Sequence, residues 1–417
     1  PAVRTPTQIS APGSCCSTTS DQTTGGIVTG LMILAAAVPS SVARRTVTAP
    51  TVPDMLSVVP RAADLPVRIG LLPPGPTSSV LDVPGVGVGH ATVWRDEADP
   101  PDGRGVARTG VTVVDPGGSC WRRPVPAGAA VLNGAGECTG LLTVREWGVV
   151  ESPVFLTSTM QVGRVYDAAC ELMVEEEPEI GVEDVLIPVV AECDDSFLSD
   201  PRRMQVTAED VRAALHFARD SVGAGLPPDE GAVGAGTGMS CLGWKGGIGS
   251  ASRVLPSGHT VGVLVLTNFG DHERLTVAGV PVGLLLPPIS GPTPAAAGSC
   301  VVVVVTDGPL DAAGCERVAR RAGLGLARTG STAHHASGEI FLALATGLRG
   351  DRGVPQDGAP VTGRGLDPYF AAAVEATEEA VVTSLLTAPT VFGRDGNTSA
   401  GLPFGEVDRL LREHGRA

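Results

Sequence analysis

Aromatic side chains are scarce in this sequence: Phe, Trp and Tyr make up 3% of its 417 residues. A core of this size must therefore be built from Val, Leu and Ala. Basic residues are outnumbered, 30 against 45 acids, for a net charge of −15. That field repels phosphate backbones and argues against nucleic acid as a partner. No basic cluster suits an anionic membrane surface. The nine cysteines contain no C-x-x-C pair, and only Cys15 and Cys16 are neighbours. Zinc-finger spacing is thus absent, and reduced, mostly buried thiols are expected. The histidines lack metal-ligand spacing, since His334 and His335 are adjacent and cannot share a helix face. No cofactor and no metal is implied. There is no G-x-S-x-G elbow, so a Ser-His-Asp hydrolase gains no support. The glycine-rich segment 231–254 fails as a phosphate loop, because Trp244 separates Gly243 from Lys245 and Gly246 follows. Its glycines suit close backbone approach and tight turns.

Long apolar runs are also few. "GIVTGLMILAAAV" (Gly26–Val38) is too short to span a bilayer comfortably. Followed by "VPSSVA", it reads either as the core of an export signal or as part of a disordered extension. Only Arg4 supplies a basic residue before it. The expectation is a disordered extension over 1–66, a cytoplasmic location and no stable membrane association.

What the sequence does have is 55 Gly, 35 Pro and several short apolar strands. From about Arg68 the pattern becomes dense, and 67–417 reads as a single domain. Strands are expected in Ser79–Trp94, Thr109–Pro116, Asp184–Asp195 and "GEIFLALATG". Helices are expected around Val162–Val174, Ala208–Gly225, Asp311–Leu324, Tyr369–Ala388 and the closing "GEVDRLLREHG". His259–Gly283 reads as a hairpin turning near "NFGDHE". The mixed order predicts a layered α/β or α+β domain, with helices covering sheet faces.

One junction invites chemistry. In "AAAGSCVVVVVTDGPL" a proline- and alanine-rich lead-in runs into Gly298–Ser299, and a buried valine strand follows. Cutting that bond would make Ser299 a new N-terminus. A free α-amine has a pKa of about 7.7–8.0, so it can serve as base to its own hydroxyl. Gly-Ser pairs at loop-to-strand junctions are also common without any such role.

Many stretches in one order carry a resemblance. They include "DVPGVGVGH", "PVPAGAAVLNGAGECTG", "IPVVAE", "GAVGAGTGM", "KGGIGSASR", "TVGVLVLTNFG", "GSCVVVVVTDGPL", "SGEIFLALATG" and "GRDGNT". From about Ile69 to Leu402 the chain resembles the self-processing aminopeptidases of the DmpA type, which include β-peptidyl aminopeptidases. The resemblance implies a four-layer αββα sandwich of the DmpA and ornithine acetyltransferase type, like the N-terminal-nucleophile fold but differently connected. It implies self-cleavage between Gly298 and Ser299, giving an α-chain ending at Gly298 and a β-chain Ser299–Ala417. It implies Ser299 as nucleophile, Ser337 and Glu339 as its proton-handling neighbours, and Asn268 as donor to the oxyanion. Glu192 would hold the substrate's amino group. Small peptides or amides would be the substrates, and a homo-oligomer, a tetramer of processed units, the assembly. Apart from the resemblance, Asn268 could serve a turn, Glu192 a strand end, and Ser337 and Glu339 a polar loop. Three positions depart from the pattern. Asp194 stands where relatives are aromatic, so it could join Glu192 in binding substrate or point to solvent. Ser158 replaces an asparagine. Cys300 replaces an apolar residue and is expected to be a core thiol. An acyltransferase of the ornithine acetyltransferase kind and an uncut, silent binding protein are the alternative readings.

Overall fold

The computed structural model describes residues 59–287, 298–354 and 358–416. The apolar run Gly26–Val38, most of the 1–66 extension and the greater part of the lead-in to Ser299 lie outside the described residues.

Two sheets stack face to face. The first has four strands in the order β1 (Gly87–Arg95), β2 (Ala107–Asp115), β4 (Val154–Ser158), β5 (Val189–Cys193). The second runs from the two-residue strand Val149–Val150 through β3 (Val125–Gly134), β9 (Gly338–Ala345), β8 (Ser299–Thr306) and β7 (Thr260–Asn268) to β6 (Gly247–Val254). β8 is central and every residue of it is buried. That explains its unbroken valine run, since a strand covered on both faces has no polar side to alternate with. Val301, Val303 and Val305 enter the core between the sheets with Leu264, Leu266, Ile340 and Leu342. Cys300, Val302 and Val304 face the other way, into a core shared with helices. This is the two-residue period of a strand.

Helices cover both outer faces. α1 (Val162–Glu176) and α2 (Ala208–Asp220) lie on the first sheet. α2 starts at a capping box, in which the Thr207 hydroxyl accepts from Asp210 N and the Asp210 carboxylate accepts from Thr207 N. α3 (Ala312–Thr329) and α4 (Asp367–Leu386) pack against the second sheet, and α5 (Phe404–Glu413) adds Val407, Leu410 and Leu411 to the same helix-side core. α4 sits directly on β6, where a Cβ at Gly249 would come within 2.0 Å of the Ala380 carbonyl oxygen. The layers are therefore αββα, as expected.

Two features differ from the sequence reading. No hairpin forms across "NFGDHE". β7 ends at Asn268 and the chain leaves through a short 3-10 turn and the helix Val282–Leu285. β7 instead pairs antiparallel with β6, across a turn in which Leu255 N donates to His259 O (2.8 Å), and with β8. The turn signal that closes a hairpin on β7 is Pro256–Gly258 on its N-terminal side, where Gly258 takes a positive φ of 86°. Secondly, packing begins before residue 67. Ala62 and Leu65 are buried in the helix-side core, and Arg61 pairs with Glu230 at 2.6 Å. The seven cysteines among the described residues are all free, and all but Cys170 are buried.

Candidate active site

The mouth of β8 lies between the ends of β7 and the start of β9. Ser299 stands opposite Asn268 in the antiparallel register and beside Gly338 in the parallel one. Directly opposed residues of an antiparallel pair present their side chains on one face. Ser299 and Asn268 therefore share the face between the two sheets, as Val301 and Leu266 do further in. Cys300 points to the helix side, and burial pushes its thiol well above the ordinary range. It is an inert core thiol, because the thiolate is the reactive form.

The backbone at Gly298 is tightly held. Its carbonyl accepts from Gly338 N at 3.1 Å. A Cβ at residue 298 would lie 1.6 Å from the Asn268 carbonyl oxygen. Only glycine fits so close an approach.

The carboxamide of Asn268 is fixed at both ends. Its Oδ1 accepts from Ser240 N at 2.9 Å, and its Nδ2 donates to the Asp194 carbonyl at 2.7 Å. A carboxamide nitrogen carries two N–H groups, so one donor remains after the bond to Asp194. On the other flank, the Ser337 hydroxyl donates to Glu339 Oε1. Burial pushes the Glu339 carboxyl up, and the Ser337 hydrogen bond and His334 act against this. A bulge between Glu339 and Ile340 interrupts the pairing of β9 with β3, a device that re-aims side chains next to sites.

Glu192 closes the group from the first sheet. It sits near the end of β5, register partner of Thr157 in β4. Its Oε1 accepts from Glu137 N at 2.9 Å, and its Oε2 accepts from the Thr159 hydroxyl. Burial is the main force raising its pKa, reinforced by Asp194 and Glu137 and opposed by the two hydrogen bonds. The loop at Gly136 bridges the sheets: a Cβ there would be 3.0 Å from Glu192 Oε1 and 3.8 Å from Gly338 Cα. Glu192 thus lies at the strand mouth that holds Ser299.

Of the two readings of Asp194, the solvent-facing one describes its carboxylate, although its charge still acts on Glu192. Asp194 is exposed, and its carboxylate accepts from Ser196 N and Ser196 Oγ, both at 2.9 Å. Its backbone carbonyl accepts from Asn268 Nδ2. Thr159, Asn133, the N–H groups of Glu137, Ser240 and Gly338, and the buried Lys245 and Asp195 were not singled out from sequence. Backbone donors leave no residue-type signal. Asn133 ties β3 to the loop before Ser337 by donating to the His334 carbonyl at 2.7 Å. Among the described residues no cluster of His, Cys, Asp or Glu could hold a metal ion. Nor is any helix among them long and apolar enough to cross a membrane.

A serine opening the central strand of an αββα sandwich, with a carboxylate and a carboxamide at the same mouth, defines a hydrolase of the N-terminal-nucleophile architecture. The family model "Peptidase family S58" matches residues 78–399, and the chain belongs to that family. It is 38% identical over 372 residues to the beta-peptidyl aminopeptidase BapA of Sphingosinicella xenopeptidilytica, covering 85% of this chain and 91% of that protein. A beta-aminopeptidase from Burkholderia sp. has a solved structure that is 42% identical, with a TM-score of 0.76 and coverage of 85% and 99%. The L-aminopeptidase D-Ala-esterase/amidase of Ochrobactrum anthropi is 37% identical, with a TM-score of 0.77 and coverage of 86% and 99%. That protein is described as a prototype of the serine aminopeptidases and a variant of the Ntn hydrolase fold. The chain shares that fold and is a peptide hydrolase.

Proposed function

We propose that this peptide hydrolase cuts its own Gly298–Ser299 bond and then acts as an aminopeptidase on short peptides, amino-acid amides or β-peptides. The observation that carries the reading is the position of Ser299: it opens β8 facing Asn268, and the carbonyl before it is held by Gly338 N at 3.1 Å.

In the first step the Ser299 hydroxyl adds to the Gly298 carbonyl carbon. The Gly338 N–H already points at the oxygen that becomes negative, where a fixed donor helps most. The C–N bond breaks, the amine takes the hydroxyl proton, and the chain is left as an ester. Water hydrolyses the ester, leaving a carboxylate on Gly298 and a free amine on Ser299. In turnover that amine takes the proton from the Ser299 hydroxyl as it attacks the substrate carbonyl. Glu339 with Ser337 supports the proton transfer, and the second N–H of Asn268 serves the oxyanion. Glu192 receives the substrate's ammonium group, a charge that needs a partner once it leaves water. The names of the relatives support an amino-terminal substrate, and their β-aminopeptidase activity favours β-amino acids among the candidates. Assembly of processed units into a homo-oligomer belongs to the same proposal.

Intact-mass spectrometry with an amide-hydrolysis assay tests it. Wild-type protein should yield two fragments meeting at Gly298/Ser299 and hydrolyse β-amino-acid amides. Ser299→Ala should remain one chain and be inactive. Hydrolysis by that variant would overturn the assignment.

A further inference from the structure

Lys245 is the single lysine among the 30 basic residues of the chain. Wherever else this protein needs a cation it uses arginine, yet here it buries an ammonium completely. An ammonium is compact and directs three N–H bonds apart, which a flat guanidinium does not. All three bonds go to backbone carbonyls: Gly236 at 2.9 Å, Met239 at 2.7 Å and Gly246 at 2.8 Å.

Those carbonyls belong to the turn that delivers a donor to the site. Ser240 and Lys245 are paired in a tight hairpin whose corner, Leu242 and Gly243, lies in the left-handed region at φ 49° and 78°. The N–H of Ser240, the residue after Met239, goes to Asn268 Oδ1. The other end of the Asn268 carboxamide is held by the Asp194 carbonyl. The next residue, Asp195, is buried, and its Oδ2 has no hydrogen-bond partner among the described residues. Asp195 packs against the turn, since a Cβ at Gly238 would lie 2.7 Å from Asp195 Cβ; its charge favours the Lys245 ammonium, which burial otherwise disfavours, while burial pushes the pKa of Asp195 itself up to about 7.

We propose that Lys245 positions Asn268 for catalysis by locking the 236–240 turn, against which Asp195 packs. The Asn268 carboxamide is hydrogen-bonded to Ser240 N and the Asp194 carbonyl and to neither of these side chains, so both are positioning residues. The inference rests on the reading of Asn268 as the oxyanion donor. It explains why one lysine is kept in an arginine-rich chain: a single ammonium gathers three backbone carbonyls at one point.

The test is a double-mutant cycle on the full-length chain, with Lys245→Met, Asn268→Ala and the combination. Each variant is checked for folding by circular dichroism. Turnover of a β-amino-acid p-nitroanilide is measured per molecule of cut chain, and a variant that never cuts is compared by processing half-time. Lys245→Met should lower kcat at least about 10-fold and leave KM within about 2-fold, the pattern of a lost transition-state interaction. In the Asn268→Ala background the same change should cost less than about 2-fold, because residues acting through one another are non-additive. A purely structural lysine would cost the same factor in both backgrounds, and that result overturns the inference. So does a folded Lys245→Met with wild-type kcat. If Lys245→Met does not fold, the isosteric Asp195→Asn takes its place in the cycle. Wild-type kcat in Asn268→Ala alone would instead refute the oxyanion reading, a separate failure.

Discussion

Replacing Gly298 with alanine tests the self-cleaving geometry at its tightest point. The new Cβ would sit 1.6 Å from the Asn268 carbonyl oxygen, 2.7 Å from its carbon and 3.1 Å from Phe269 Cα. All three are backbone atoms, so no side-chain rotation relieves the clash. Reaching an ordinary contact of 3.4 Å from 1.6 Å requires one backbone to move by about 1.8 Å. The Gly298 carbonyl would then leave the Gly338 N–H and shift relative to the Ser299 hydroxyl. Misplacement of reacting groups by about 1 Å costs on the order of 10²-fold in rate. Gly298→Ala should therefore slow cutting by at least that factor. The strain sits at the strand mouth, so the buried run Val301–Val305 and the fold should persist. The assay is a time course of intact mass at pH 8 on freshly purified precursor, with circular dichroism as the folding check. After cutting, residue 298 is a chain end and the clash is relieved. Turnover per cut molecule should accordingly match wild type. Cutting at or above the wild-type rate would refute the argument, since strain would then be driving the reaction or the geometry would not matter.

Other outcomes follow from the same site. Glu192→Gln should raise KM for amides bearing a free amino group by at least about 10-fold, with a smaller effect on kcat, because a buried charge loses its partner; an unchanged KM would remove Glu192 from substrate binding. In the wild-type enzyme the acid limb of kcat/KM should lie above the ordinary glutamate range of about 4.3, because burial raises Glu192 and only its carboxylate pairs with an ammonium. A limb at or below that value would refute this. Labelling the only lysine with ¹³C gives one Cε signal, and its titration midpoint should fall near 7, where burial has brought Lys245 down from 10.5. Between those values the unfolded chain binds a proton that the folded chain does not, so this group makes folding more favourable as pH rises from 7 towards 10.5. Relative to Lys245→Met, the wild type should gain urea-unfolding free energy between pH 7 and 9. A midpoint near 10, or no such gain, would show the ammonium to be better solvated than its surroundings suggest.

Composition and pattern alone determined a good deal. The paucity of aromatics and the valine-rich strands foretold layered sheets packed by small aliphatic side chains, because burial on both faces removes any need for polar alternation. The small pair Gly298–Ser299 ahead of such a strand marked the candidate nucleophile, and motif order pointed to the family. Only the tertiary structure decided the rest. β7 pairs with β6 across the turn before it and with β8, whose residues lie 31 to 45 positions away, so the expected hairpin at "NFGDHE" did not form. From sequence Asp194 could join Glu192 in binding substrate or point to solvent; only the fold shows the local turn in which its carboxylate accepts from Ser196 while its carbonyl faces Asn268. Thr159, the N–H groups of Ser240 and Gly338, and the buried Lys245 joined the site only through three-dimensional proximity. Residue type records what a side chain can do. Hydrogen bonds to backbone groups and the solvation of a buried charge depend on what the fold brings within about 3 Å, and no reading along the chain contains that distance.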